Sequence, residues 1–189
     1  MANQERRARD RAERHRLIID VARELAEAEG WDAVTTRRLA ERVEYSQPVL
    51  YSHFENKDAI VRAVAVRGFD ELAERMRAAR AAHRSPAKAL RAVAEAYLSF
   101  AASHPALYDA MFVREVDLPF GTDETPAEVR AGFTEFVAAV GPLAGDEDVE
   151  PLVEVLWSAL HGLAALDRGG RLRPVHRRAR LDLLLGRIT

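Results

Sequence analysis

The sequence predicts an all-α protein of about nine helices, and three observations lead to this class. Alanine, the residue with the highest helix propensity, occupies 34 of the 189 positions. Apolar residues recur at spacings of three and four along most of the chain, as they do on one face of a helix. No segment alternates apolar and polar residues in the way a half-buried strand does. We therefore expect three short N-terminal helices followed by a larger helical bundle.

Composition and charge exclude several classes of protein. The 28 basic residues nearly balance the 30 acidic ones, so the chain is neither a disordered tail nor a histone-like basic protein. Without cysteine, it has no disulfide and no thiolate that acts as a nucleophile or metal ligand. The N-terminus is charged and no run of 18 apolar residues free of charge occurs. These features predict a soluble, cytoplasmic protein without a signal peptide or membrane span.

The chain opens with a basic arm that leads into the first helix. Between residues 5 and 16, six arginines accompany three acidic residues, which gives a local charge of +3. The interleaved acidic residues are typical of a solvated helix face, whereas the net charge also permits a contact with DNA. An apolar stripe of helical period then extends from Leu17 to Ala28 and stops at Gly30, a residue type that often follows a helix.

Two short helices separated by about three residues come next. Thr35 or Thr36 is predicted to cap the first of them, and Ser46 the second. Pro48 is tolerated because it falls in the first turn, where backbone N–H groups have no helical partner. Lys57 then opens a long helix that is predicted to end near Ala82.

The remaining helices are marked mainly by proline and glycine. They are expected to begin near residues 86, 105, 126, 149 and 174. The helix that begins at Val149 differs from the others, because apolar residues line two of its faces as far as Leu166. A helix that is apolar on two faces must have both faces covered by other helices.

The two short helices have the spacing of a helix-turn-helix, in which the second helix lies in the major groove of DNA. Leu50 and Phe54, four residues apart, are predicted to pack this helix inward. Of the outward side chains, Gln47 suits an adenine edge, Val49 a thymine methyl group, and Tyr51 a phosphate. The residues predicted to contact DNA are Thr35, Thr36, Arg37, Ser46, Gln47, Pro48, Val49, Tyr51, His53 and Lys57.

This region resembles the TetR family of transcriptional regulators, from about Leu17 to Leu72. The residues that match the family signature in order and spacing are Thr35, Thr36, Leu39, Ala40, Ser46, Leu50, Tyr51, Ser52, His53, Phe54 and Lys57. Two residues depart from it, because the family usually has glycine where Glu44 stands and often has glycine where Pro48 stands. If the turn needs a positive φ, the glutamate costs about 1 kcal/mol. The resemblance implies a ligand-responsive regulator, most often a repressor, that binds a palindromic operator as a homodimer.

A second resemblance lies in the C-terminal half. Trp157, His161 and Gly162, with residues 103–108 upstream, are similar to a TetR subgroup marked by these three residue types on the penultimate helix. In the family, the last two helices pair with their copies in a second subunit. The dimer interface implied here comprises Val155, Ala159, Leu160, Leu163, Leu166, Leu181, Leu184 and Leu185.

Aromatic residues cluster in the same half of the chain and suggest a ligand cavity. An apolar pocket with a few polar groups suits a small molecule, and the resemblance implies such a cavity without saying which residues line it. Each aromatic residue at helical spacing could equally belong to the core. The candidates are Tyr97, Phe100, His104, Tyr108, Phe112, Phe133, Phe136, Trp157 and His161.

These expectations divide the chain into a DNA-binding domain, residues 1–62, and a ligand-binding and dimerisation domain, residues 63–189. The expected partners are double-stranded DNA, a small-molecule effector and a second copy of the chain. We expect no cofactor, metal or catalytic residue, because no nucleophile motif, P-loop or histidine pair at metal-ligand spacing occurs.

Two alternatives are a helical binding or scaffold protein without DNA recognition, and an α-helical enzyme. The polar residues facing outward from the second short helix disfavour the first, and the missing motifs disfavour the second.

Overall fold

The computed structural model describes residues 2–188 and contains helices but no strand over this range. The helices, in chain order, are α1 (Ala2–Glu29), α2 (Thr36–Arg42), α3 (Gln47–Tyr51), α4 (Lys57–Ala81), α5 (Pro86–Ser103), α6 (Pro105–Phe112), α7 (Ala127–Val140), α8 (Val149–Arg168) and α9 (Arg177–Leu185). Short 3₁₀ turns occupy Trp31–Ala33, Gly141–Leu143 and Pro174–His176. The predicted class and the number of α-helices are confirmed.

Most helix ends follow from local signals in the sequence. Gly30, at the end of α1, adopts φ +84°, a conformation that glycine reaches without a steric penalty. The Thr35 hydroxyl caps α2 by accepting the N–H of Arg38 at 3.2 Å. The Asp148 carboxylate caps α8 by accepting the N–H of Glu150 at 3.2 Å.

Three details differ from the prediction. Ser46 occupies the position before α3, but its side chain makes no capping hydrogen bond. Pro174 opens a 3₁₀ turn, and the last α-helix begins only at Arg177. The first of the three N-terminal helices is not short, because α1 runs without interruption over 28 residues, from Ala2 to Glu29, and includes the basic arm.

The chain forms two compact units, and α4 contributes to both. The first unit extends to Gly68 and also includes His104–Leu118. The second comprises Phe69–Ser103 and the chain from Pro119 onward. A boundary between residues 62 and 63 as the limit of the DNA-binding domain stays a prediction.

In the first unit, α6 is held against α1 by polar contacts as well as by packing. The Glu27 carboxylate accepts the backbone N–H groups of Ala106 at 3.1 Å and Leu107 at 3.0 Å, both at the start of α6. The Trp31 indole N–H donates to the Ala106 carbonyl at 2.8 Å. The two bonds that Glu27 accepts satisfy N–H groups that a helix start leaves without partners.

The second unit is built on α5, α7 and α8, which pack against one another. Its buried side chains include Tyr97 and Phe100 on α5, Phe136 on α7 and Leu156 on α8. One carboxylate is also buried there: Glu135 accepts hydrogen bonds from Arg77 at 2.9 Å and from the Arg80 Nη2 at 2.9 Å. Two guanidinium groups from α4 thus compensate the charge on α7.

Helix α8 is apolar on its exposed side as well as on its buried side. Val153, Leu156 and Leu160 are buried within the chain, whereas Val155 and Leu166 are exposed. By length and composition alone, α8 is apolar enough to cross a membrane, which the sequence analysis did not anticipate. A single helix of this kind is weak support for a membrane span, since other apolar helices of soluble proteins meet the same criteria.

Candidate DNA interface and ligand site

The turn between α2 and α3 is closed by a backbone conformation that glycine normally supplies. Glu44 adopts φ +56°, and the described residues contain no other non-glycine position with positive φ. The next residue, Tyr45, donates its N–H to the Ala40 carbonyl at 3.0 Å and so ends α2. The positive φ considered for Glu44 in the sequence analysis is therefore present.

We expect Glu44→Gly to stabilise the protein by about 1 kcal/mol, because glycine relieves the left-handed strain. For a domain of this size, the unfolding temperature should rise by about 2 to 4 °C. Glu41→Gly, at an exposed position in the last turn of α2, is the matched control and should lower it, since glycine costs about 1 kcal/mol within a helix. Thermal unfolding of the two variants measures both effects. A loss of stability in both would show that the turn does not favour glycine.

The surface of α3 divides cleanly into an inward and an outward side. Leu50 and Phe54 are buried, as predicted. Ser46, Gln47 and Pro48 are exposed and Val49 is half-buried, whereas 51% of Tyr51 is exposed. Thr35 and Arg37 on the preceding segment are exposed and Thr36 is half-buried. The Tyr51 hydroxyl lies 3.5 Å from the Thr36 hydroxyl, so these two side chains, both predicted to contact DNA, adjoin one another.

Two residues predicted to face DNA are placed differently. The Lys57 ammonium is half-buried and donates to the Trp31 carbonyl at 2.7 Å, so it supports the loop before α2. His53 is half-buried beside α1, with its ring 6.2 Å from that of His15. The His53 Nδ1 atom is buried without a hydrogen-bond partner. His53 is therefore only partly exposed and its contact with DNA stays a prediction, whereas Lys57 is engaged within its own chain.

The surroundings of the two histidines favour their neutral forms. Burial, and secondly the positive charge of Arg11, lower the pKa of His15. Burial also lowers the pKa of His53, with further contributions from Arg11, His15 and Arg14. The His15 ring stacks on Phe54 at 4.3 Å between centroids, which accounts for part of this desolvation.

Because these pKa values are lowered on folding, the unfolded chain binds the two protons more readily than the folded chain does. The two histidines therefore contribute fully to the free energy of unfolding above the ordinary histidine pKa of about 6.5. This contribution is lost as the pH falls from that value through the lowered pKa values of the folded chain. We expect the denaturation midpoint to fall between pH 7.5 and 5.5 by more in the natural protein than in the double variant His15→Gln, His53→Gln. Urea unfolding across this range measures the difference. If the urea midpoint falls equally with pH in both proteins, the two histidines are not the cause of the pH dependence.

Helix α2 is oriented by a carboxylate at the end of α1. Glu29 accepts hydrogen bonds from Arg38 at 2.8 and 2.9 Å and lies 3.7 Å from Arg42. The hydrogen bond from Arg38 is the main cause that lowers the pKa of Glu29. This ion pair could not be predicted from the sequence, because no local pattern links a glutamate to an arginine nine residues away across a turn.

The predicted ligand residues of the second unit include a hydrogen-bonded aromatic group. The Trp157 indole N–H donates to the Tyr97 hydroxyl at 3.1 Å, and the Tyr97 ring lies 5.7 Å from that of Phe136. The His161 ring is 6.4 Å from that of Trp157, and burial lowers the pKa of His161, with a smaller contribution from Arg168. Among the other candidates in this unit, Phe100 is fully buried and Phe133 is half-buried.

Three further candidates belong to the first unit. His104 precedes α6, and its Nδ1 atom lies 3.4 Å from the Arg23 guanidinium on α1. Tyr108 is buried, and its ring is 4.7 Å from that of Phe112. The nine ligand candidates are thus divided between the two units, and their role in binding stays a prediction.

The predicted dimer interface needs a correction at three positions. Leu160 has no exposed surface, and Leu181 and Leu185 are also buried inside one chain. These side chains are not available to a second subunit, because packing within the chain already covers them. Val155 and Leu166 are exposed, and the half-buried positions are Ala159, Leu163 and Leu184. Within the described residues, no three side chains from His, Asp and Glu come together in a way that could hold a metal ion.

Two family models match the chain. The model described as bacterial regulatory proteins, tetR family, matches residues 18–64, which contain α2, α3 and the turn between them. The model described as tetracyclin repressor-like, C-terminal domain, matches residues 90–188, which is more than half of the chain. Neither description mentions the Trp/His/Gly subgroup, which stays a prediction.

Individual proteins show the same likeness. An HTH-type transcriptional regulator from Mycobacterium tuberculosis is 32% identical over 157 residues, covering 81% of this chain and 69% of that protein. The tetracycline repressor protein class D of Escherichia coli is 47% identical over 49 residues, covering 26% of this chain but only 22% of that protein.

Solved structures show the same fold. A protein from Rhodococcus sp. RHA1 superposes with a TM-score of 0.77 at 25% identity, covering 90% of this chain and 93% of that one. A TetR-family transcriptional regulator from Streptomyces coelicolor superposes with a TM-score of 0.65 at 20% identity, covering 93% of this chain and 99% of that one.

Proposed function

Because the chain belongs to the TetR family of bacterial transcriptional regulators, we propose that it represses transcription from a palindromic operator. In this proposal a cytoplasmic homodimer binds the operator through two copies of residues 35–57. A small-molecule effector releases it. The chain performs no catalysis, and its response to the effector is a change of conformation.

The observation that carries the proposal is the division of α3 into two sides. A recognition helix must bury the residues that attach it to its own domain and expose polar groups to the base edges. Leu50 and Phe54 are buried, and Gln47 lies on the exposed side together with Tyr51. The exposed Gln47 amide offers the donor and the acceptor that a base edge requires, and the Tyr51 hydroxyl offers the donor that a phosphate requires.

The exposed side of α8 supports a homodimer. Val155 and Leu166 are exposed, with Ala159 and Leu163 half-buried between them, and none of these four carries a charge. Exposed apolar stripes of this kind mark interaction surfaces in soluble proteins. A second α8 that packs on the stripe would bury it, whereas Val153 and Leu156 already face the chain's own core.

Gly162 gives this surface a second feature. A glycine in the middle of a helix costs about 1 kcal/mol relative to alanine, and apart from its sequence neighbours and the backbone of its own helix, no described residue lies within 4 Å of the place a Cβ would take. Packing within one chain therefore does not explain this glycine. Ser158 is four residues away, and two small residues at this spacing allow a second helix to approach closely.

The aromatic group of the second unit is our candidate for the effector site. The hydrogen bond between Trp157 and Tyr97 places polar atoms among apolar side chains, which is the composition of small-molecule pockets. An effector releases the operator only if it binds more tightly to a dimer whose two recognition helices do not match the half-site spacing than to one whose helices do. A coupling of 1 to 3 kcal/mol, a roughly 5- to 150-fold loss of operator affinity, is typical.

Selection of genomic DNA fragments with the purified protein tests the proposal. We expect the bound fragments to share an inverted repeat whose half-sites lie about 34 to 36 Å apart. A small-molecule screen on the protein–operator complex should then identify compounds that release the DNA. Fragments without any common sequence would instead support a helical binding protein that lacks DNA recognition.

A further inference from the structure

The two ends of α8 carry opposite charges. No lysine or arginine occurs from residue 131 to residue 167, and no aspartate or glutamate occurs from residue 168 to residue 181. We call the carboxylates around the start of α8 the acidic end, which comprises Asp146, Glu147, Glu150 and Glu154. We call the cations at its close the basic end, which comprises Arg168, Arg171 and Arg173.

Most of these charges are not compensated within the chain. All seven side chains are exposed. Among the described residues, no carboxylate of the acidic end belongs to an ion pair, and neither Arg171 nor Arg173 does. By contrast, the Asp167 carboxylate compensates Arg177 and Arg180 of α9. Folding of one chain therefore leaves opposite charges exposed at the two ends of the same helix.

The two ends are too far apart to compensate each other within one chain. Helix α8 has 20 residues, which corresponds to a length of about 30 Å. Salt screens exposed charges over about 8 Å under physiological conditions. The Arg171 N–H donates to the Leu166 carbonyl at 2.9 Å, so the chain that follows α8 stays at the close of the helix. Compensation of either end must come from another molecule.

Glu150 and Arg168 lie on the same side of α8, because the 18 residues between their positions correspond to five full turns. Glu154 follows Glu150 by one turn, and Ser158 follows Glu154 by another. Ser158 is one of the two small residues that allow a second helix to approach closely. The charged side chains therefore flank the surface on which a second α8 would pack.

A second copy of α8 compensates both ends if the two helices run antiparallel. A twofold axis near the middle of the helix places the start of each α8 beside the close of the other, and it brings the same side of both helices together. The acidic end of each chain then meets the basic end of its partner. In a parallel pair the two acidic ends would instead meet each other, and their like charges would repel.

We propose that the acidic end of one α8 binds the basic end of the partner's α8, so that the two subunits pair antiparallel along this helix and recognise one another by charge. This inference rests on the proposed function, which supplies a homodimer and its apolar surface but neither the direction of the helices nor a charged contact. The occupant is a second copy of this chain, because that copy carries both complementary ends at the matching separation. The apolar side chains provide affinity, and the flanking charges determine direction and partner choice.

Two charge-reversal variants test the inference. Glu147→Arg, Glu150→Arg makes the acidic end basic, and Arg171→Glu, Arg173→Glu makes the basic end acidic. These four side chains form no ion pair within the described part of their own chain, so their reversal breaks none there. The dimer dissociation constant of each variant, and of their equimolar mixture, is measured by sedimentation at low and high KCl concentrations. Native mass spectrometry distinguishes the heterodimer from the two homodimers by mass.

Asp123→Arg, Glu124→Arg is the matched control. It reverses two exposed carboxylates in the loop before α7, and therefore changes the total charge by as much as Glu147→Arg, Glu150→Arg does. The control should dimerise like the natural protein. Circular dichroism verifies that every variant keeps its helix content.

Each α8 variant alone should dimerise about 10- to 100-fold more weakly than the natural protein at low salt, because attractive pairs become repulsive at two symmetric contacts. In the mixture, the reversed ends of the two variants are again complementary. The heterodimer should therefore form with an affinity within about threefold of that of the natural dimer. Added salt should weaken the natural dimer and strengthen the homodimers of both variants, since it screens attraction and repulsion alike.

A mixture that dimerises as weakly as each variant alone would overturn the inference, because the two ends would then not meet. Dimers of natural strength in both separate variants would overturn it as well, while leaving the homodimer itself intact. A loss in the control equal to that in the α8 variants would assign the effect to total charge. A natural protein that stays monomeric at every concentration would instead remove the proposed homodimer and the inference together.

Discussion

Val155→Asp is expected to convert the protein into monomers that lose tight binding to a full operator. Val155 is 67% exposed in one chain and is one of the two exposed residues on the apolar side of α8. In a symmetric dimer the substitution occurs twice at the same interface, and each unpaired carboxylate buried there costs about 3 to 5 kcal/mol. Since a monomer contacts only one half-site, operator affinity should fall by roughly 100- to 10,000-fold.

Val113→Asp provides a matched control. Val113 is also an exposed valine, but it follows α6 in the first unit and is not part of the apolar side of α8, so its replacement should leave the dimer intact. Sedimentation gives the mass of each variant, and circular dichroism verifies that both remain helical. If Val155→Asp remains a dimer that binds the operator, the exposed side of α8 is not the interface.

Gln47→Ala is expected to remove the preference for one base pair in each half-site. The Gln47 side chain is exposed near the start of α3, where an amide can form two hydrogen bonds with an adenine. Loss of these bonds costs about 1 to 3 kcal/mol per half-site, and the symmetric operator contains the position twice. Affinities for a set of operators with single base-pair changes measure the effect.

Tyr51→Phe is the appropriate comparison, because a phosphate contact carries no sequence information. It should weaken binding to all operators of the set by the same factor. Lys57→Ala is less suitable for this purpose, since the Lys57 ammonium supports the Trp31 carbonyl and its loss would also disturb the fold. A loss of base preference in Tyr51→Phe equal to that in Gln47→Ala would refute the assigned roles.

Those parts of the fold that depend on local signals were predictable from the sequence. Proline, glycine and capping residues mark where helices begin and end, and their effects act over a few residues. Gly30 and Thr35 are examples, because each occupies the helix end predicted for it. The inward placement of Leu50 and Phe54 was equally predictable, since residues four apart on a helix share a face.

Contacts between distant residues were not predictable in this way. Nothing local in the sequence indicates that Lys57 bonds to a carbonyl 26 residues away, or that His53 lies beside His15. The same limit applies to Leu160. The sequence shows that α8 has two apolar faces, but packing against α5 and α7 determines which face the chain itself buries.

The assignment of segment 104–118 to a domain was not predictable from the sequence either. Its sequence position places it in the C-terminal half, yet it belongs to the first compact unit. The bonds from Glu27 to Ala106 and Leu107 connect residues about 80 positions apart. No periodicity within either helix could have indicated this partnership.

The central claim is that two copies of residues 35–57 bind the two half-sites of one operator. Sedimentation of the protein with the selected operator, and with the same duplex after one half-site is scrambled, tests it most directly. We expect two chains on the intact operator and, on the scrambled duplex, an affinity roughly 100- to 10,000-fold lower. Binding of a single chain to the intact operator, or equal affinity for the two duplexes, would contradict the claim.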